Sequence, residues 1–181
     1  MCARAVAAAE GRIVMTAGYG GIVAADVALD VSVKGKKGLL ESLAADASVR
    51  IGRDEREILE ALQSREQLGP TAIGKGVALP HAQLSGAFAP VILFRRLSRS
   101  IDFDDREGEP VDIVVMALWP EAAPKGSLLD AVAEICRALR EPELVRGLRA
   151  AQAPGEVARL LSGSLSVDPG AAEKTGRDPP R

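Results

Sequence analysis

Apolar side chains along this chain fall in helical stripes in some stretches and in short continuous runs in others, and the changes between the two mark a mixed fold. Leu39, Leu40, Leu43, Ala44 and Ala47 return at three- and four-residue spacing, which puts them on one helical face. Asp54 followed by Glu57 predicts a capped helix start, and Ile58, Leu59 and Leu62 continue it as one stripe toward Arg65. Gly69-Pro70 stops that helix. Val77-Ala78-Leu79 is short and apolar, and Pro80 closes it as a strand end. Val91-Ile92-Leu93-Phe94 and residues 111–118 are β-rich runs, the second long enough for a central strand. Between them, residues 104–108 read as a turn. Ser127 with Asp130 predicts another capped start, after which Leu128, Leu129, Val132, Ile135, Cys136 and Leu139 line one face. Pro142 opens a helix with Leu144, Val145 and Leu148, and Pro154 opens one with Val157, Leu160 and Leu161. The expected class is α/β (α+β): one domain, a small mixed β-sheet flanked by helices.

The ends differ from the middle. Residues 1–19 are weakly anchored and read as a flexible tail. Residues 164–181 are poor in large apolar side chains and rich in Pro, Gly and charge, and read as a disordered tail. The folded domain is expected over residues 20–163. Ala5-Val6-Ala7-Ala8-Ala9 is cut off by Glu10 and Arg12, too short for a signal-peptide core, and Met15 is an alternative start. Elsewhere no apolar run reaches membrane-spanning length, so no membrane insertion is expected.

Composition narrows the function classes. The 181 residues are 47% apolar and 27% charged, which is globular. Aromatic residues are only 3% and the net charge is −2, so neither a base-stacking surface nor a basic footprint for nucleic acid is expected. Cys2 and Cys136 are too few for a disulfide framework or a metal site, which fits a reducing cytoplasm, and neither metal nor cofactor is expected. Cys136 reads as a small core residue. Lys34, Lys36 and Lys37 read as a solvated helix entry, and Asp102, Asp104 and Asp105 as turn residues. Gly18-Tyr19-Gly20-Gly21 lacks the Gly-Lys-Ser/Thr ending of a nucleotide loop.

The chemistry concentrates around the one histidine, His81. It follows Val77-Ala78-Leu79-Pro80, a glycine-rich stretch over residues 69–76, and the pair Arg65-Glu66. A histidine that carries a phosphoryl group must be neutral near pH 7, which an ordinary imidazole largely is. The transferred group bears close to two negative charges and needs donors around it. Arg65 offers a bidentate guanidinium. Gly74 and Gly76 free the backbone to turn amides toward an anion, and Thr71 offers a hydroxyl. Phosphoryl transfer is mostly positioning and electrostatics, so such a site is chemically sufficient. Glu66 reads as structural, holding Arg65 or a backbone N–H.

Residues 65–82 resemble the active-histidine region of type-2 IIA components of the bacterial phosphoenolpyruvate-dependent phosphotransferase system, the fructose/mannitol group and its nitrogen-regulatory branch. The matching pieces are Arg65-Glu66, the turn Gly69-Pro70-Thr71-Ala72-Ile73-Gly74-Lys75-Gly76, and the ending Pro80-His81-Ala82. Ile101-Asp102-Phe103-Asp104 with Pro110-Val111-Asp112 resembles the family's hairpin, and residues 133–140 its later helix. The resemblance spans about residues 22–162. It implies a mannitol/nitrogen-regulatory IIA-like fold, His81 as phosphoacceptor through Nε2, Arg65 as the site arginine, and a cytoplasmic protein. The implied partners are an HPr-like histidine-phosphorylated carrier and regulatory targets such as potassium-transport regulators or sensor kinases. The chain departs from the pattern in three places. Ala72 stands for a usual glycine, Lys75 for a usual asparagine, and Ser127 or Leu128 where many members carry a second histidine. That last departure leaves a phosphotransfer-impaired binding module as an alternative, beside a sugar-transport IIA component. A hydrolase using His81 as general base is the weakest reading, since no Gly-x-Ser-x-Gly elbow or metal spacing accompanies it.

Overall fold

A computed structural model describes residues 22–104, 108–122 and 128–165. After a short 3-10 turn the elements run β1 (Val27–Val31), α1 (Gly35–Ile51), α2 (Glu55–Gln67), β2 (Ala72–Gly74), β3 (Val77–Ala78) and β4 (His81–Leu84). Then come β5 (Val91–Ile101), β6 (Val111–Pro120), α3 (Leu128–Leu139), α4 (Pro142–Ala150) and α5 (Pro154–Leu165). The strands form one mixed sheet in the order β1-β5-β6-β3-β2, with β4 also paired to β6. This is the mixed α/β domain expected from the periodicities.

Strand β6 organises the layers. It pairs antiparallel with β5 and parallel with β3 and β4. Its side chains alternate between two cores. Ile113, Val115, Ala117 and Trp119 face α3, α4 and α5, whereas Val114, Met116 and Leu118 face α1 and α2. A strand buried on both faces reads as a continuous apolar run, which is why residues 111–118 were legible as central.

The helices form where the pattern places them. Leu39, Leu40, Leu43, Ala44 and Ala47 are the buried face of α1. In α2, Asp54 accepts hydrogen bonds from the Arg56 and Glu57 amides, and Ile58 and Leu62 are buried. Glu57 does not close the expected box: its carboxylate pairs with Arg53. Pro142 and Pro154 each stand first in their helices.

Several features refine or differ from expectation. Strand β5 continues past Phe94 to Ile101. Its extension carries Arg95, buried to 5% exposure, whose guanidinium donates to the Asp26 and Phe94 carbonyls and pairs with Asp46 of α1. Strand β1 pairs parallel with β5 at the sheet edge. Leu129, expected on the inner face of α3, is 74% exposed, and Ala131 and Ala138 are buried instead. Cys136 packs at the edge of the core, and burial pushes its thiol pKa up, away from a reactive thiolate. Lys36, expected in solvent, bridges Glu66 and Asp104. Ser127, residues 105–107 of the expected turn, Gly18-Tyr19-Gly20-Gly21 and both expected tails from 1 to 19 and beyond Leu165 lie outside the described residues. The expected boundary at residues 163–164 falls within the last turn of α5.

Asp54 satisfies two otherwise unpaired amides at the start of α2. Asp54→Ala is expected to lower unfolding free energy by about 1 kcal/mol, measured by urea denaturation.

Candidate functional site

The last turns of α2 present one face to solvent near the edge of the sheet. Ala61, Ser64, Arg65 and Leu68 share it through i, i+3, i+4 and i+7 spacing. The helix ends at Gln67, Leu68 is its C-cap, and the chain turns at Gly69 and Pro70 into β2. Strand β4 lies opposite, held in register on β6 by His81 beside Ala117 and Gln83 beside Trp119. Ala82 and Leu84 point into the core under α1 and α2, so His81 and Gln83 take the other face. Leu128 and Leu129 at the start of α3 complete a cleft of about 620 Å³.

The hydrogen bonds of His81 fix its chemical form. Nδ1 lies 2.8 Å from the Leu79 carbonyl oxygen. A carbonyl only accepts, so Nδ1 carries the hydrogen. Arg65 Nε donates to Nε2 at 2.9 Å, and a guanidinium only donates, so Nε2 presents its lone pair. Both partners therefore require the neutral Nδ1–H tautomer. Burial lowers the His81 pKa, the Leu79 hydrogen bond opposes this, and the charge of Arg65 lowers it further. The net direction is downward, which keeps the ring neutral at pH 7. Arg65 is itself steadied by donating from Nη1 to the Gly69 carbonyl at 3.1 Å.

Glu66, next to Arg65, turns away from the imidazole and knits the site together. Its carboxylate accepts from the Thr71 amide at 3.0 Å and the Thr71 hydroxyl at 2.6 Å, and pairs with Lys36 at 2.8 Å. Lys36 reaches on to Asp104 and lies over the Phe103 ring. One carboxylate thus ties the end of α2 to the β2 entry and to α1.

These contacts sort the residues named from sequence. His81 and Arg65 meet. Thr71 is buried, and its single hydroxyl proton is committed to Glu66, so it does not serve as a donor beside His81. Gly74 and Gly76 lie elsewhere. Val77 pairs with Ile113 and His81 with Ala117, so the glycine turn is displaced by four residues, about 13 Å along the sheet. It faces a shallower groove of about 690 Å³ near Asp112 and Arg149. Gly76 has φ +73°, and a Cβ there would stand 2.7 Å from Arg149 Nη2 and 2.9 Å from Asp112 Oδ1. Its lack of a side chain admits the Arg149–Asp112 pair, which is a packing role. The Leu79 carbonyl was missed from sequence, since a backbone acceptor leaves no residue-type signal. Glu66 was read as structural, and it does hold a backbone N–H. Among the described residues no group of three His, Cys, Asp or Glu side chains is placed to hold a metal. No helix among them is long and apolar enough to cross a membrane.

Comparison with known proteins bears on this geometry. Residues 23–164 match the family model described as phosphoenolpyruvate-dependent sugar phosphotransferase system, EIIA 2. The chain is 43% identical over 122 residues to a nitrogen regulatory protein of Bradyrhizobium diazoefficiens, covering 67% of this chain and 79% of that one. It is 30% identical to the nitrogen regulatory protein of Escherichia coli, covering 73% and 81%. Among solved structures, nitrogen regulatory protein IIA-Ntr from Neisseria meningitidis superimposes with a TM-score of 0.72 at 28% identity, covering 76% of this chain and 94% of that one. The mannitol IIA of Escherichia coli shares the fold at 19% identity and a TM-score of 0.61, covering 77% and 98%.

Because His81 is the sole histidine, its titration is readable without assignment ambiguity. NMR of the ring is expected to give a midpoint below the ordinary histidine range, and Arg65→Gln should move it upward. The unfolded chain binds this proton at higher pH than the folded one. The residue's contribution to stability therefore declines as pH falls from the ordinary histidine range toward the lowered midpoint. Gly76→Ala is expected to cost about 2 kcal/mol through backbone strain and the Arg149 clash, read by thermal unfolding, while the His81 midpoint stays in place.

Proposed function

Since this chain belongs to the EIIA type-2 family of the phosphoenolpyruvate-dependent sugar phosphotransferase system, among its nitrogen-regulatory proteins, we propose that it is a phosphohistidine relay and regulator. His81 accepts a phosphoryl group from an HPr-like carrier in the cytoplasm, and its phosphorylation state governs binding to target proteins. The observation that carries this reading is the tautomer: a neutral imidazole with Nδ1–H held by Leu79 and the Nε2 lone pair facing Arg65 in an open cleft.

The transfer follows from that arrangement. The Nε2 lone pair attacks the phosphorus of the carrier's phosphohistidine. A new N–P bond forms, the old one breaks, and its electron pair returns to the carrier's imidazole nitrogen. Arg65 leaves Nε2 and takes up phosphoryl oxygens, where a guanidinium binds bidentately. Nδ1 keeps its proton throughout, because the Leu79 carbonyl cannot accept it outright. The phosphorylated ring is thus cationic beside a dianionic group, a form poised to pass the group on.

Docking has a surface to use. Leu68 is 84% exposed and Leu129 is 74% exposed, and both line the cleft. An apolar rim around a reactive centre suits a protein partner that covers it during transfer. Phosphorylation then places about two negative charges in the middle of that rim. Targets that bury the rim in the unmodified state are released by it, and potassium-transport regulators and sensor kinases are the target classes this reading proposes. The regulatory role is favoured over sugar transport by the names of the relatives.

The test is transfer from phosphoenolpyruvate through the general enzyme and an HPr-like carrier. An acid-labile label is expected on the wild type and none on His81→Ala. Arg65→Ala should take label at least about 100-fold more slowly. Label on His81→Ala equal to wild type, or no label on wild type, overturns the proposal.

A further inference from the structure

Resting on the phosphoacceptor reading, we infer that Gln83 is a catalytic residue whose side-chain amide donates a hydrogen bond to the phosphoryl group on His81. Three oxygens sharing two negative charges enter the cleft when Nε2 is phosphorylated, and they need donors on more than one side. Arg65 approaches from α2, with Nη1 already engaged by the Gly69 carbonyl. Its remaining N–H groups serve one side of the group. Among the described residues of the α3 wall, Leu128 and Leu129 offer no side-chain donor. Thr71 is committed to Glu66, and the glycine turn is about 13 Å away along the sheet.

Gln83 occupies the open side. It is two residues beyond His81 on β4, so both side chains leave the strand on the same face. Both line the same cleft, and Gln83 is exposed. Apart from His81 and Arg65, the only polar side chains lining the cleft among the described residues are Gln83 and Ser64. Ser64 lies on the α2 side with Arg65, so Gln83 is the donor that β4 contributes. An uncharged carboxamide suits this position. It strengthens binding as negative charge arrives and leaves the resting imidazole unperturbed, whereas a second cation there would compete for the Nε2 lone pair.

Potassium phosphoramidate tests this without a protein donor. The Nε2 lone pair forms the N–P bond as the ammonia–phosphorus bond breaks, and ammonia leaves with the electron pair. Phosphorus NMR follows the rate of phospho-His81 formation and its lifetime. Gln83→Met keeps the length and removes the donor, and should slow formation about tenfold, the worth of one charge-assisted hydrogen bond. Gln83→Glu places a carboxylate against the dianion and should slow it more. In Gln83→Met the His81 titration midpoint should stay at its wild-type value, which separates contact with the phosphoryl group from a structural role. Wild-type rates in both variants, or slowing only in Ser64→Ala, overturn the assignment while leaving His81 as acceptor. No label on the wild type, or equal label on His81→Ala, overturns the underlying reading and this inference with it.

Discussion

Everything in this fold is measured from β6, because a strand buried on both faces and paired on both edges cannot shift by one residue. A one-residue slip would exchange Val115 and Ala117 with Val114 and Met116 between the two cores. The helices above and below could not accommodate that exchange. Register therefore passes outward to every strand that pairs with β6. β5 inherits it on one side, and β3 followed by β4 on the other. The backbone of His81 is consequently placed by core packing several residues away. The imidazole lies beside a strand whose position the core has already settled.

On that base, two neighbouring residues divide the electrostatics. Arg65 and Glu66 are one helical step apart and diverge, the guanidinium toward His81 and the carboxylate toward Thr71 and Lys36. Had Glu66 faced the imidazole, it would have favoured protonation and lost the lone pair that the proposed transfer requires. Directed inward, it accepts three hydrogen bonds and holds the helix end against the β2 entry. The charge left near the ring is then dominated by Arg65, which disfavours imidazolium. Arg65 is also partly immobilised by the Gly69 carbonyl, which lowers the ordering cost of the phosphate contact proposed for it.

The sequence made some of this visible and hid the rest for identifiable reasons. β6 carries a continuous apolar run and α2, α4 and α5 carry helical stripes, and tertiary packing agrees with them, as it does with the buried face of α1. The second half of β5 contains Arg95, Arg96, Ser98 and Arg99, which interrupt the apolar run that marks its first half. Arg95 is nonetheless buried, because carbonyls and Asp46 satisfy its guanidinium, and such long-range partners leave no local pattern. Leu129 looked like core because it continues an apolar run, yet the buried stripe of α3 runs through Ala131 and Ala138 beside Leu128, Ile135 and Leu139. At the site, His81 and Arg65 were legible as a pair because each residue type has few roles in such company. Which ring nitrogen holds the proton was not legible, since it depends on a backbone oxygen.

The Arg65–His81 segment thus separates into two parts with different physics. Arg65, Leu79 and His81 set the protonation and reactivity of one nitrogen. The intervening glycine turn solves a backbone problem at the far end of β3, where Gly74, Lys75 and Gly76 all have positive φ. Lys75 is held there although an L side chain disfavours that conformation, because Arg149 binds its carbonyl while its own Nζ donates to the Arg140 carbonyl. That anchoring joins the turn to the end of α3 and to α4, and so closes the chain around β6 on the side away from the cleft. The turn fixes where β3 begins, β3 fixes where β4 begins, and β4 begins with His81. In the proposed relay, a motif that reads as one continuous phosphate cradle would contribute to chemistry at its two ends, Arg65 and His81, and it contributes to register in between.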